Sequence, residues 1–271
     1  MTDAFMTDAF VTDALMTDGV MAGLRPRAAA AGLAGRAPES GPIDAPRAIP
    51  DYLRKYYWWT YIHPSAVKFF ERQWLVSAIL WGNYARLRDA ALARLGETLP
   101  GATLQVACAY GDITPRLAQR SAAANGTLDV VDVLPIQLQN LRQKMPVASP
   151  VRLLAMNTAE LKLPDRSYDR ALIFFLLHEQ PADVRRQTLQ EVLRVVKPGG
   201  QVVIVDYARP RRWHPARYLW RIVLAAFEPF ALDLWRDDVA AWMPAKGARQ
   251  TNARSFFGGL YKMTSFTRCD D

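Results

Sequence analysis

The sequence predicts an α/β fold in which a mostly parallel sheet is covered by helices on both faces. From about residue 100 onward, short apolar segments of strand type alternate with amphipathic segments of helical type. Repeated units of a strand followed by a helix favour a parallel sheet with helices on each side. The chain has 271 residues, of which 51% are hydrophobic, so it can build a core of useful size.

The individual elements follow from the period of the apolar residues and from the turn residues between them. The predicted strands are 103–107, 127–132, 151–155, 169–176 and 201–207. The predicted helices are 114–122, 135–144, 183–195 and 214–228, and Gly199 is expected to stop the helix before the last strand. Residues 253–268 have the pattern of a hairpin that turns near Gly258 and Gly259.

Residues 1–50 are predicted to stay outside this fold. Residues 1–20 repeat a five-residue unit of the form MTDAF, whose period matches neither a helix nor a strand. Residues 21–50 are rich in Ala, Gly, Pro and Arg, which is typical of a linker. We therefore expect a disordered, low-complexity tail at 1–50.

Residues 51–99 are predicted to form an aromatic helical segment ahead of the α/β domain at 100–271. One broad helical face is expected from Pro64 onward, formed by Val67, Phe70, Trp74, Ile79 and Trp81. This helix either packs on the domain or serves as a lid or membrane-facing segment. Tyr and Trp beside Lys and Arg suit an interface between an apolar phase and water.

The charge and the cysteine content limit the binding partners and the cellular compartment that the sequence predicts. The formal net charge is +8 and the pI is about 9.6, which fits a nucleic-acid partner, an anionic membrane surface or simply a basic soluble surface. Cys108 and Cys269 lack the spacing of a zinc site or a disulfide framework, so a reduced, cytoplasmic setting is expected. No apolar run approaches the roughly 18–20 residues that span a bilayer.

The stretch LQVACAYGD at 104–112 is the first candidate site, because ligands of such sheets bind at the carboxyl ends of the strands. Of the small residues there, only Gly111 is a glycine, while Ala107 and Ala109 are the next smallest choice for a close backbone approach. Tyr110 adds an aromatic ring beside the site. The alternative is a plain turn from strand to helix.

The ends of the next strands add polar groups. Asp132, followed by Val133, can accept the two hydroxyls of a ribose, or it can simply cap a helix. Asn157 or Thr158 can hydrogen-bond an adenine edge. His178 is a candidate general base, or a histidine that only fixes a loop.

Together, these motifs resemble the class I S-adenosylmethionine-dependent methyltransferases over about residues 100–210. The resemblance rests on the loop at 104–112, Asp132, the phrase LPDRSYD and the segment VLRVVKPGGQVVIVDYARP, which is most similar to the methyltransferases of ubiquinone and menaquinone biosynthesis. It implies a Rossmann-like, mostly parallel seven-stranded sheet and an S-adenosylmethionine site formed by Gln105, Ala107, Ala109, Tyr110, Gly111, Asp112, Asp132, Val133, Asn157 and Thr158. Tyr110 and His178 are the candidate catalytic residues.

The loop departs from the usual pattern of that family, which has an acid at 105 and glycines at 107 and 109. With the aromatic stretch HPSAVKFFERQWLVSAILWGNY and the segment SFFGGLYKM, the variant loop resembles the rhodoquinone biosynthesis protein family over roughly 50–265. This resemblance implies an enzyme that converts ubiquinone to rhodoquinone for anaerobic respiration. The family replaces a ring methoxy group by an amino group, with S-adenosylmethionine as the nitrogen donor and a divalent metal such as manganese.

The altered loop agrees with amino transfer on chemical grounds. An amine attacks carbon only when it is unprotonated, and neutral Gln105 removes an anion that would favour the ammonium form. Asp112, His178, Glu179 and Asp206 are nominated as metal ligands without a choice among them.

The lipid substrate would place the enzyme at a membrane. The segment 213–235 mixes arginines with aromatic residues and can lie on an anionic leaflet, or it is an ordinary cover helix. We expect a cytoplasmic protein in peripheral contact with the inner membrane.

Three rival functions remain open. A conventional quinone methyltransferase would have a degenerate loop, and a non-catalytic quinone-binding scaffold would not need the ribose acid Asp132. A nucleic-acid methyltransferase is suggested by charge alone, and no nucleic-acid partner is expected because the short catalytic motifs of that class are absent.

Overall fold

The computed structural model describes residues 49–57, 67, 69–146, 149, 151–215 and 217–270. The predicted tail at 1–50 lies almost wholly outside the described residues. Its disorder therefore stays a prediction.

Seven strands form one sheet in the described part of the chain, in the order β3-β2-β1-β4-β5-β7-β6. They are β1 Ala102–Val106, β2 Thr127–Asp132, β3 Val151–Ala155, β4 Tyr168–Phe174, β5 Val196–Tyr207, β6 Ala248–Phe256 and β7 Tyr261–Arg268. The first five are parallel, and β7 is inserted antiparallel between β5 and β6. The strand predictions are confirmed, including the final hairpin.

Helices cover the sheet and the strand ends. They are α1 Asp51–Tyr56, α2 Gln73–Ile79, α3 Tyr84–Leu95, α4 Ile113–Ala122, α5 Pro135–Lys144, α6 Ala182–Val195, α7 Arg217–Phe227, α8 Asp233–Arg236 and α9 Val239–Trp242. The four predicted helices correspond to α4, α5, α6 and α7. None of the helices in the described residues is both long and apolar enough to cross a bilayer.

The core lies on both faces of the sheet, as expected for parallel strands. Successive residues of β4 show this, because Leu172 belongs to one buried cluster and Ile173 to the other. The Leu172 cluster is completed by α3, α4 and α5, which contribute residues such as Leu87, Leu117 and Leu138. Both clusters are fully desolvated at their centres, so they fix the register of the strands that carry the site.

The single helical face predicted across residues 64–81 is wrong. The helix α2 ends at Ile79, and Trp81 and Gly82 then adopt left-handed φ values of 51° and 71°, which turn the chain before α3 begins. Val67 is buried, whereas Trp74 is 62% exposed. The apolar period continues through the turn in the sequence, which is why the break was not visible there.

The role predicted for Gly199 is also wrong. The helix α6 already ends at Val195, and β5 begins at the next residue. Gly199 does have a left-handed φ of 74°, but it lies inside β5, at the irregular register between β4 and β5. The left-handed residue therefore belongs to a local excursion of β5, in which residues 197–200 stand opposite Asp169 of β4, and not to a helix cap.

The strand order places a switch point between β1 and β4. The chain winds outward from β1 through β2 to β3, and then returns to β4 on the other side of β1. Loops that leave β1 and β4 therefore diverge at their carboxyl ends, which opens a crevice for a ligand.

Candidate functional site

A cavity of about 330 Å³ lies at the carboxyl ends of the parallel strands. Its walls come from the loops after β1, β2, β3 and β4, from the end of β5, and from the helices α1, α2 and α7. Among the predicted site residues, the cavity wall contains Ala107, Ala109, Tyr110, Asp132, Val133, Asn157, Thr158 and His178. Gln105, Gly111 and Asp112 lie beside the wall and not on it.

The loop after β1 is held by an unusual pair of residues. Ala107 has a φ of 68°, in the left-handed region where an alanine costs about 1 kcal/mol more than a glycine. Gln105 is fully buried beneath it and donates its side-chain amide to the carbonyl oxygen of Ala107 at 3.0 Å. An ionised acid at 105 has no proton to donate there. The glutamine and the strained alanine therefore form one structural unit.

Gly111 closes the same loop against α3. Its φ is 87°, and a Cβ at this position would lie 2.4 Å from the hydroxyl of Tyr84. That hydroxyl accepts hydrogen bonds from the backbone N–H groups of Asp112 and Ile113, at 2.8 and 3.2 Å. Tyr84 therefore satisfies the free N–H groups at the start of α4, and only a glycine fits beside it.

Asp112 is occupied by protein cations. Its carboxylate accepts hydrogen bonds from Arg88 at 2.8 and 2.9 Å and from Arg116 at 2.7 Å. Burial opposes its charge, but these arginines and Tyr84 lower the pKa of Asp112 below its usual value. Asp112 acts as a structural anchor of the loop.

Asp132 ends β2 at the cavity wall. Its two oxygens accept the N–H groups of Cys108 and Leu134, both at 2.8 Å, so the carboxylate ties the loop after β1 to the start of α5. Burial raises the pKa of Asp132 to about 6, while these backbone hydrogen bonds oppose the shift. The side chain of Cys108 and the backbone N–H of Val133 also act on this carboxylate, so a ligand hydroxyl would share its acceptor positions with these protein groups.

Asn157 and Thr158 follow β3 on the same wall. The side-chain oxygen of Asn157 accepts the N–H of Ala159 at 3.0 Å, which shapes the turn. The hydroxyl of Thr158 accepts a hydrogen bond from Gln180 at 3.1 Å and lies 3.2 Å from Thr188. These contacts fix both side chains before any ligand arrives.

His178 forms the charged centre of the cavity. Its Nδ1 lies 2.9 Å from an oxygen of Asp206, which is fully buried and also accepts N–H groups of Leu177 and Tyr207 at 2.8 and 2.7 Å. Burial opposes the charged imidazole, but Asp206 outweighs it and, with Glu228 and Glu179, raises the pKa of His178 to about 9. At neutral pH this histidine is a proton donor, not a free base.

The N-terminal segment is fastened over the loop. Glu71 accepts hydrogen bonds from Lys144 and Asn140 of α5, both at 2.6 Å, and from the N–H of Gly111 at 3.1 Å. The neighbouring Phe70 stacks on Tyr110, with ring centres 6.3 Å apart. The aromatic segment is therefore a wall of the cavity in this conformation.

The far half of the cavity is apolar. Its lining residues come from α2, α7 and their flanks, and from the ends of β4 and β5. They are Val76, Ile79, Leu80, Phe175, Tyr207, Trp220, Val223, Leu224 and Phe227. His178 lies at the boundary of the two halves, with its ring centre 4.9 Å from that of Tyr207.

The nominated metal ligands do not assemble into a metal site. No group of three or more His, Cys, Asp or Glu side chains in the described residues has a geometry that could hold an ion. Asp112 is bound to arginines, and Asp206 is directed at backbone N–H groups and His178. These residues therefore do not fit manganese.

Several site residues were not predicted from the sequence. Tyr52 of α1, Tyr57 just after α1 and Glu228 just after α7 reach the strand ends only through tertiary packing. Glu228 had one visible signal, because it is a lone acid in the apolar stretch LAAFEPF. The tyrosines had none beyond the aromatic content of their segment.

Comparison with known proteins gives matches to one kind of domain. Residues 103–200 match the family model described as methyltransferase domain. A demethylmenaquinone methyltransferase of Bacillus licheniformis is 32% identical over 134 residues, covering 49% of this chain and 56% of that protein. One of Tropheryma whipplei is 30% identical over 158 residues, covering 58% and 62%. The chain thus spans less than two thirds of the length of these relatives.

Solved structures match the fold. A methyltransferase from Aquifex aeolicus superposes with a TM-score of 0.50 and 19% identity, covering 76% of this chain and 98% of that one. The mitomycin 7-O-methyltransferase MmcR superposes with a TM-score of 0.57 and 15% identity, covering 78% and 59%. With the strand order, these matches confirm the predicted fold class.

Proposed function

We propose that this chain, which has the class I methyltransferase fold, is an S-adenosylmethionine-dependent transferase that acts on the ring of a lipid quinone. The observation that carries the proposal is the division of the cavity. Its polar half is formed by the ends of β1, β2 and β3, and its apolar half opens between α2 and α7. The polar half suits a charged nucleoside cofactor, and the apolar half suits the hydrophobic ring of a lipid quinone.

The cofactor is proposed to lie across the switch point. Asp132 would accept the ribose hydroxyls, and Asn157 or Thr158 would meet the adenine edge. The amino-acid end would then approach Ala107 and Ala109, which line the cavity. This arrangement directs the sulfonium and the amine toward His178 and the apolar half.

The transferred group is proposed to be nitrogen, giving conversion of ubiquinone to rhodoquinone. Support comes from the pairing of Gln105 with Ala107, because it puts a neutral amide where the related methyltransferases have an acid. Without that anion the methionyl amine is easier to keep unprotonated, as attack on carbon requires. His178 would donate its Nε2 proton to the ring oxygen that gains negative charge during the attack.

Methyl transfer to a quinol ring is the second candidate. The matches to demethylmenaquinone methyltransferases favour it, since those proteins are named for methylation of such a ring. The two candidates share the cofactor, the cavity and His178. They differ in which atom of the cofactor faces the ring.

The mass of the product separates the candidates. The purified chain would be incubated with S-adenosylmethionine, a divalent cation and either ubiquinone or demethylmenaquinol, and the lipid extract analysed by mass spectrometry. Amino-for-methoxy exchange gives a lighter quinone that contains nitrogen. Methylation gives a heavier one without it, and that result would reject amino transfer.

The mouth of the apolar half is proposed to dock on an anionic lipid surface. We call the exposed apolar side chains of α2, α7 and the residues next to these helices the apolar rim, and Ile79 and Phe227 of this group also line the cavity. The rim consists of Trp74, Ile79, Trp81, Trp213, Tyr218, Leu219, Ile222 and Phe227. The rings of Trp81 and Trp220 are 5.8 Å apart, which joins the α2 side of the rim to α7. Arg211 and Arg221 lie exposed beside it.

We expect the rim and its arginines to control vesicle binding. Ile222→Ser should weaken binding to phosphatidylglycerol vesicles roughly tenfold or more, because it removes an apolar side chain that enters the lipid. Arg221→Gln should weaken it roughly fivefold, since one basic residue near such a surface contributes about 1 kcal/mol. Sedimentation with vesicles measures both effects.

Arg249→Gln on β6 is the matched control, since it removes the same charge from an exposed position away from the rim. It should leave binding almost unchanged. Equal binding of all three variants, or equal binding to phosphatidylcholine vesicles, would contradict a docking role for the rim.

A further inference from the structure

Glu228 lies on the wall of the cavity. Glu228 is the first residue after α7, and its N–H still donates to the carbonyl of Leu224 at 2.8 Å. Pro229 follows and cannot continue the helix. The end of α7 therefore fixes the backbone of Glu228 at the cavity.

Charged and polar groups from three other elements face this carboxyl. The hydroxyl of Tyr57, which is 1% exposed, reaches it from the end of α1. His178 acts on it from the loop after β4, and Asp206 from β5. Burial raises the pKa of Glu228, while His178 and Tyr57 oppose the shift. A carboxyl group in such surroundings holds its proton more firmly than an exposed one.

We infer that Glu228 is the general acid that protonates the departing methoxy group of the quinone. The inference rests on the proposed amino transfer, because methylation of a ring releases no alcohol. Glu228 and His178 lie on the same cavity, so one ring can contact both. His178 then serves a ring oxygen and Glu228 serves the substituent that leaves.

The exchange of substituents balances in two stages. The nitrogen lone pair of the cofactor's amine forms a bond to the ring carbon that carries the methoxy group, and an electron pair moves to the ring oxygen beside His178. The electron pair on the ring oxygen then moves back into the ring. At the same time the bond between the ring carbon and the methoxy oxygen breaks, and its electrons stay on the methoxy oxygen. Glu228 gives its proton to form methanol and takes the proton released by the nitrogen. These two stages consume no oxidant or reductant, and they leave the ring joined through nitrogen to the α-carbon of the donor. To release the amino group, the α-proton and the N–H proton would pass to the ring oxygens while the electron pair of the α-carbon–hydrogen bond reduces the quinone to the quinol. Water would then hydrolyse the resulting imine and break the bond between nitrogen and the α-carbon, so the products are methanol, the amino-substituted quinol and the donor's 2-oxo acid.

The test uses the dependence of the rate on the leaving group. Glu228→Gln should lower kcat for nitrogen transfer to a methoxy quinone by roughly 100-fold, with the Kd for S-adenosylmethionine unchanged. With a trifluoroethoxy quinone, whose alkoxide leaves without a proton, the variant should approach the wild-type rate. His178→Asn should stay slow with both quinones, since its role is not at the leaving group. A glutamine that merely disturbed packing would slow both substrates equally.

Each outcome has a distinct meaning. If the wild-type chain transfers nitrogen and Glu228→Gln is equally slow with both quinones, the inference is overturned while the proposed function stands. If the wild-type chain transfers no nitrogen to any quinone, the proposed function itself fails. Tyr57→Phe provides a second variant. It should shift the pH at which the reaction of the methoxy quinone declines, and it should leave the reaction of the trifluoroethoxy quinone unaffected. The absence of a shift in either reaction would count against the inference.

Discussion

Replacing Gly111 by alanine should destabilise the protein by about 2–4 kcal/mol and abolish measurable cofactor binding. The new Cβ would lie 2.4 Å from the Tyr84 hydroxyl and 2.6 Å from its Cζ, and the residue would keep a φ of 87°. Tyr84 cannot move aside freely, because its hydroxyl holds the first N–H groups of α4. The loop must shift instead, and with it the backbone at Ala107 and Ala109. Denaturant unfolding and calorimetric titration with S-adenosylmethionine measure the two effects.

Gly199→Ala is the matched control for strain alone. Gly199 has a φ of 74°, and nothing lies within 4 Å of a Cβ built on it. We expect a loss of only about 1 kcal/mol and unchanged affinity for the cofactor. Equal losses in the two variants would mean that the contact with Tyr84 contributes nothing to the loop.

Asp206→Asn should lower the rate of transfer roughly 100-fold to 1000-fold and destabilise the fold by about 3–5 kcal/mol. Asp206 is the buried partner of His178 and accepts two of its neighbours' N–H groups at 2.7–2.8 Å. An asparagine brings an amide N–H₂ to a place built for an acceptor, and it removes the charge that keeps His178 protonated. Burial then opposes the charged imidazole against Glu228 and Glu179 alone, so the pKa of His178 should fall.

The substitution Asp206→Asn should also change how the free energy of unfolding depends on pH. In the wild-type chain the pKa of His178 is raised to about 9 from an ordinary value of 6.5. The stability from this pair is therefore fully present below pH 6.5 and is lost as the pH rises through about 9, an effect of about 3 kcal/mol. Asp206→Asn should lack this decline. Urea unfolding between pH 6 and about 10 measures it.

Asp169→Asn is the control for the substitution itself. Asp169 also accepts a backbone N–H, from Ala102 at 2.7 Å, and pairs with Lys197, but it is partly exposed and lies away from the cavity. We expect at most about 1 kcal/mol of destabilisation and a wild-type pH profile of activity. A wild-type rate in Asp206→Asn would contradict the role given to His178.

The sequence was sufficient to predict the strands of the sheet and to choose candidate residues for the polar half of the cavity. Strands buried on both faces have a continuous apolar pattern, so β1, β2 and β4 were located to within two residues. Since ligand groups of such sheets follow the strand ends, Asp132, Asn157, Thr158 and His178 could be chosen by position alone. These four residues line one cavity, while their assignment to a ligand site and their roles stay predictions.

The other features of the fold and the site depend on tertiary packing, which leaves no local pattern in the sequence. The break after α2 arises because Trp81 and Gly82 turn left-handed within an uninterrupted apolar pattern. Glu228 interacts with both His178 and Tyr57 only because α1 and α7 close over the strand ends. The support of Ala107 by Gln105 was likewise hidden, since two departures from a loop pattern look independent until their hydrogen bond is seen.

Isotopic labelling of the cofactor tests the central claim most directly. The purified chain would be given ubiquinone and S-adenosylmethionine that carries ¹⁵N in its amine and deuterium in its methyl group, and both labels would be followed into the quinone. We predict that ¹⁵N enters the ring and deuterium does not. We also predict that the variant with Gln105→Asp, Ala107→Gly and Ala109→Gly still binds the cofactor but transfers much less ¹⁵N. Deuterium in the quinone without ¹⁵N would contradict the account.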